Sequence, residues 1–102
     1  MTYAELRQDK GYYRAYVTNH TEPCVCAGIS ALVQTVIGWA LNSRVRDLEY
    51  SIEEGECHIS FHSHSRGARE VWKAFEIGLL QIENGYPDDL RVCIWGYTPE
   101  NQ

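Results

Sequence analysis

Hydrophobic and polar positions change period several times along the 102-residue chain, and each change marks an element. Residues 2 to 7 and 11 to 18, where Tyr12, Tyr13, Tyr16 and Val17 supply strand propensity, predict a β-hairpin turned by Asp9-Lys10-Gly11. From Pro23 to Ser43 no charged residue occurs, and a helix is predicted from about Val25 to Leu41 or Asn42. Gly28 and Gly38, with Ala27, Ala31 and Ala40, make it a small-residue helix. Two interior glycines are tolerated best where another element approaches closely.

A second alternating pair follows. Val45 to Glu53 places Arg46, Leu48, Tyr50 and Ile52 on one face, Glu54-Gly55 turns, and Cys57, Ile59 and Phe61 return. Gly67-Ala68 opens a second helix in which Ala68, Val71, Trp72, Phe75, Leu79 and Ile82 recur at helical spacing, closed by Asn84-Gly85 and Pro87. Arg91 to Tyr97 forms the final strand, and Thr98 to Gln102 a polar, frayed tail. The order ββαββαβ predicts an α+β, two-layer sandwich: a mostly antiparallel sheet packed by two helices, in one domain spanning residues 1–102.

Composition narrows the function. A net charge of −5 opposes nonspecific binding to nucleic acid, which draws its affinity from clustered Lys and Arg, so no nucleic-acid partner is expected. The first ten residues are charged and lack an apolar core, so they do not read as a signal peptide, and a cytoplasmic setting with free thiols is expected. Cys24-Val-Cys26 is too tight for a zinc knuckle, and no second pair follows. The charge-free run is long enough to raise a membrane span, but strand-like segments precede it and polar residues punctuate it, so a core helix is the better reading. His58, His62 and His64 share the wet face of a strand without a carboxylate or thiolate among them; a solvated edge is expected there, not a metal site. Glu53-Glu54 and Asp88-Asp89 sit in turn contexts where charge is the ordinary solvated choice. Trp39, Trp95 and Tyr97 fit either a core or an interface. No phosphate-binding glycine pattern and no nucleophile-elbow serine occurs.

The chemistry-bearing stretch is His20 to Leu41. Cys26, Ser30 and Gln34 recur at i, i+4 and i+8, a sulfur, a hydroxyl and an amide along one helix face. A thiolate is stabilised at a helix start, and His20, six residues earlier, could fold back as its general base. The plainer reading is that Cys26 is a small packing residue and His20 a solvated loop residue. Cys24 precedes the predicted helix and is the weaker nucleophile candidate.

VCAGISALVQT at 25–35, preceded by a strand ending in a histidine, and an amphipathic helix leading into YPDDLRV at 86–92, resemble the ribosomal-processing cysteine protease family, Prp. The resemblance implies a small cytoplasmic homodimer that needs no cofactor and removes a short N-terminal extension from a large-subunit ribosomal protein, or, in phage members, processes capsid or scaffold proteins. Carried over, it makes Cys26 the nucleophile, His20 the base and Ser30 a supporting serine, with backbone N–H groups around Cys26 and Ala27 binding the oxyanion. The chain departs from the family pattern in three places. Asn19-His20-Thr21 replaces Gly-His-Ala, the loop from His20 to Cys26 is only five residues long, and Pro23 replaces an acidic residue whose role would pass to Glu22. The alternatives to an endopeptidase are a peptide-binding module that does not cut and a structural dimer or metal-binding protein.

Overall fold

The computed structural model describes residues 1–19, 22–53 and 55–96. Its elements are β1 (Thr2–Asp9), β2 (Tyr12–Thr18), α1 (Pro23–Leu41), β3 (Arg46–Glu53), β4 (Glu56–His62), α2 (Arg66–Gly85) and β5 (Leu90–Gly96), in the expected order. The five strands make one sheet ordered β3-β4-β2-β1-β5, in which only the β1–β5 pair is parallel.

Alternation decides which face is covered. Ala4 and Leu6 of β1, Tyr13, Ala15 and Val17 of β2, and Cys57, Ile59 and Phe61 of β4 are buried against Val25, Ile29, Val33, Val36 and Ile37 of α1 and Ala68, Trp72, Phe75 and Leu79 of α2. Among the described residues no helix covers the opposite face of the sheet, which presents Glu5, Arg7 and Arg14 outward. An aromatic cluster fixes one end of the core: Tyr13 stacks on Phe61 at 5.1 Å, and Trp72 meets Tyr13 at 5.3 Å and Phe75 at 5.1 Å. Burying aromatic side chains of this size contributes on the order of 2–3 kcal/mol each, plus about 0.5–1.5 kcal/mol for ring pairing.

The first hairpin closes more tightly than the alternation predicts. Lys10 (φ 50°) and Gly11 (φ 85°) both adopt the left-handed conformation of a two-residue turn, so β1 extends to Asp9 and β2 begins at Tyr12. Helix α2 starts earlier than Gly67, because the Ser65 hydroxyl caps it by accepting the Ala68 N–H at 3.0 Å.

Strand β3 corrects a second expectation. A bulge between Arg46 and Glu49, with Asp47 at φ 55°, shifts the register by one residue. Arg46 therefore pairs with His62 on the open face, and Tyr50 and Ile52, paired with Ile59 and Cys57, point to the helix side. Because β3 is the edge strand, Tyr50 and Ile52 remain 46% and 48% exposed. The glycines of α1 divide: a Cβ on Gly28 would meet Ile82 at 3.1 Å, whereas nothing lies within 4 Å of one on Gly38. Close approach holds for the first and fails for the second. Gly78 of α2 completes the helix crossing by admitting Leu32.

Length and composition would let α1 cross a membrane, yet Val25, Ile29, Val33, Val36, Ile37 and Ala40 bury one side of it in the core. The final strand ends at Gly96. Tyr97, and the tail expected at 98–102, lie outside the described residues.

Candidate active site

Helix α1 begins two residues earlier than its hydrophobic pattern implies. Pro23 occupies the first helical position, where its missing N–H leaves nothing unpaired, and Glu22 is the cap. The Glu22 carboxylate accepts the Val25 N–H at 3.0 Å, and its carbonyl accepts the Cys26 N–H at 2.8 Å. Two corrections follow. Cys24, placed before the helix by the sequence, stands in its first turn, and Cys26 stands at the fourth helical position. The Cys26 N–H is already bonded within the helix, so it is not free to bind an oxyanion.

Glu22 serves the helix itself. One of its oxygens caps the helix, and its negative charge already complements the positive end of the helix dipole. The helix-start N–H groups invoked to stabilise a Cys26 thiolate thus have a resident carboxylate.

Cys26, Ala27 and Ser30 do share one face, as their spacing predicts. With Ile52, Glu53, Gly55 and Cys57 they line a groove of about 470 Å³ between α1 and the β3–β4 hairpin. Cys26 is half-buried and Ala27 exposed. The Gln34 amide donates to Ser30 Oγ at 3.3 Å, which occupies an acceptor site of the hydroxyl and leaves its proton available to the groove. Cys57 closes the bottom of this groove from β4; burial pushes its thiol up from the usual range, and the nearby Glu56 carboxylate adds to the effect. All four cysteines are free thiols.

The sequence missed Ile52, Glu53 and Cys57 as groove residues. They reach α1 only through strand pairing, which no local pattern encodes. Glu53, the last residue of β3, is exposed and lines the groove.

His20 lies outside the described residues, as do Thr21 and Glu54. The residues on either side of the 20–21 segment are well tied. Asn19 adopts φ 63°, its N–H bonds the Gly55 carbonyl at 3.1 Å, and its own carbonyl accepts the Thr2 hydroxyl at 2.9 Å. Asparagine is among the few non-glycine residues that tolerate this left-handed conformation. Asn19 thus supplies a backbone geometry that glycine would also adopt before the histidine.

The histidines of β4 do not converge. His62 Nδ1 lies 3.3 Å from Asp47 Oδ2 and its ring rests against Tyr12, and among the described residues no three His, Cys, Asp or Glu side chains group as metal ligands.

No family model and no curated protein matches the chain by sequence. Solved structures do match its fold. The ribosomal processing protease Prp from S. aureus, in complex with a covalently linked product peptide, superposes with a TM-score of 0.78 at 22% identity, over 93% of this chain and 100% of that one. The same protease in complex with a substrate peptide gives 0.77 at 18% identity over the same shares. SMU.848 from Streptococcus mutans gives 0.76 at 17% identity, over 95% of this chain and 96% of that one.

Proposed function

We propose that this protein is a divergent Prp-type cysteine endopeptidase that cuts an extended segment of a protein substrate, with Cys26 as nucleophile and His20 as general base. One observation carries the reading: in a fold shared over 93% of the chain with a peptide-bound ribosomal processing protease, Cys26 and Ser30 line one 470 Å³ groove. Cys26 Sγ attacks the scissile carbonyl carbon, the C–N bond breaks, and the His20 imidazolium hands its proton to the leaving amine; water then hydrolyses the thioester with His20 as base. The Ser30 hydroxyl donates toward the substrate. No cofactor enters this sequence of steps.

The substrate class is an N-terminal extension of a large-subunit ribosomal protein or a phage capsid or scaffold protein, and the setting is the cytoplasm. We further assign a homodimer built on α1. Its outward positions Ala27, Ala31, Gln34, Thr35 and Leu41 are uncharged and exposed, a surface composition that favours burial against a partner.

A second reading has its own support. In it the protein holds a peptide without cutting it, and the support is the Cys26 N–H, which is bonded to the Glu22 carbonyl instead of facing an oxyanion. Iodoacetamide labelling resolved by peptide mass spectrometry separates the two. The endopeptidase reading expects Cys26 to label faster than Cys57 and Cys93 at neutral pH and to lose that advantage in His20→Ala. It also expects Cys26→Ala to abolish cleavage of an extension peptide while preserving the fold. Labelling of Cys26 no faster than of Cys93 would leave the binding-module reading standing.

A further inference from the structure

The uncovered face of the sheet holds a second hollow, opposite the helices and unrelated to Cys26. Cross-strand register places Ser60, Arg14, Arg7 and Trp95 in one row across β4, β2, β1 and β5. Arg7 and Arg14 are directly opposite each other, an arrangement in which like charges destabilise a sheet. Among the described residues neither guanidinium forms an ion pair, although Glu5 and Asp9 flank Arg7 along β1 and Glu49 lies beyond Ser60 in the same row; Glu56, farther along the face, accepts the Tyr16 hydroxyl. Glu5 lines the same hollow from the neighbouring row without pairing with either arginine.

The walls are aromatic. Tyr16 lies under the Arg14 guanidinium, 5.9 Å from ring centroid to Cζ, and Trp95 flanks Arg7 with 58% of its surface exposed. Together Glu5, Leu6, Arg7, Arg14, Tyr16 and Trp95 line an open hollow of about 260 Å³, just below the roughly 300–1,000 Å³ of small-ligand sites.

We propose that this hollow binds a single nucleotide unit, its phosphate across Arg7 and Arg14 and its base stacked on Trp95. Paired guanidinium groups match a phosphate, and an exposed indole on an open sheet face is the platform on which single-stranded bases stack. An acidic peptide would satisfy the arginines but leave the aromatic walls without a role. The overall acidity still opposes polyelectrolyte binding to long duplexes, so the site takes one or two phosphates and its salt dependence is shallow. The unit belongs either to a free nucleotide or to a single RNA strand, and the chemistry is common to both. Nothing in this assignment depends on peptidase activity.

Fluorescein-labelled octauridylate is titrated into the full chain at low salt and followed by anisotropy, with UMP as competitor. Binding weakened tenfold or more by Arg7→Gln/Arg14→Gln and by Trp95→Leu, but unchanged by Arg66→Gln/Arg69→Gln on the helix layer, supports the site. Displacement by UMP identifies a free nucleotide, and failure of UMP to compete identifies an RNA strand; either bears the proposal out. Absence of binding at millimolar protein, equal loss in the helix-layer variant, or equal displacement by a polyglutamate peptide overturns it.

Discussion

The Glu22 carboxylate accepts the Val25 N–H at 3.0 Å, and through that bond a glutamate takes the place that serine, threonine, asparagine or aspartate usually holds at a helix start. Replacing it by alanine removes the cap from the helix that carries Cys26. Glu22→Ala is expected to lower stability by about 1 kcal/mol, the usual effect of losing an N-cap, with Glu22→Asp recovering most of it. Urea denaturation checks this through the midpoint at constant slope. An unchanged midpoint in Glu22→Ala would mean that the cap contributes nothing.

Asn19 holds a left-handed backbone conformation just before the histidine. At φ 63° glycine is accommodated and a β-branched side chain is not. Asn19→Gly should therefore stay within about 0.5 kcal/mol of the parent, while Asn19→Val should cost about 1–3 kcal/mol of backbone strain. Thermal melts of the two variants decide it. Equal melting temperatures would show that the left-handed geometry is not held in solution.

Ser30 is positioned by Gln34 rather than buried, so its contribution to folding should be small and its contribution to cleavage large. Ser30→Ala is expected to change stability by less than about 0.5 kcal/mol, as for other exposed hydrogen bonds. It should reduce kcat/KM on an extension peptide by roughly tenfold, the order associated with losing one positioned donor. Gln34→Ala, which frees the hydroxyl to rotate, should fall between. Full activity in Ser30→Ala would remove the hydroxyl from the mechanism.

Alkaline pH offers a fourth check. Burial raises the Tyr13 hydroxyl above its ordinary value of 10.0, opposed by the Arg69 charge and a hydrogen bond with Gln8, and burial likewise raises Cys57 above 9.0. Below about pH 9 both groups are protonated in the folded and unfolded chains, and their contribution is complete. As pH climbs through 9 and then 10 the unfolded chain ionises first, so stability falls. Tyr13→Phe keeps the stacking on Phe61 and should lose less stability than the parent between pH 8 and pH 11. Parallel losses in the two proteins would assign the alkaline transition elsewhere.

What could be read from the sequence was whatever repeats locally. Trp72, Phe75 and Leu79 recur at helical spacing and are buried as that spacing requires, and the two hairpins follow from alternation interrupted by glycine. The start of α1 was misplaced because a proline signals a turn and a first helical position equally well, and only the Glu22 cap distinguishes them. The bulge at Asp47 had no local signal, and without it Arg46 and Tyr50 fall on the same face. Cys26 and Ser30 were found by their spacing, but the residues opposite them across the groove, Ile52, Glu53 and Cys57, depend on a hairpin whose placement is set by long-range pairing. His20, the base proposed for Cys26, was found from sequence and resemblance and lies outside the described residues.

An open sheet has two free margins, and each invites further strands from other chains. At the β5 margin the Glu83 carboxylate accepts the Val92 N–H at 2.8 Å, so a side chain occupies a donor that a foreign strand would need. At the β3 margin the Asp47 bulge plays the corresponding part: it breaks the register between Arg46 and Glu49 and leaves regular spacing only over residues 49–53, about 17 Å of strand. That length is enough for a brief docking and too short to seed an extended stack. Straightening the bulge would lengthen the template, and the first symptom would be seen in the test tube as concentration-dependent turbidity rather than as a loss of fold.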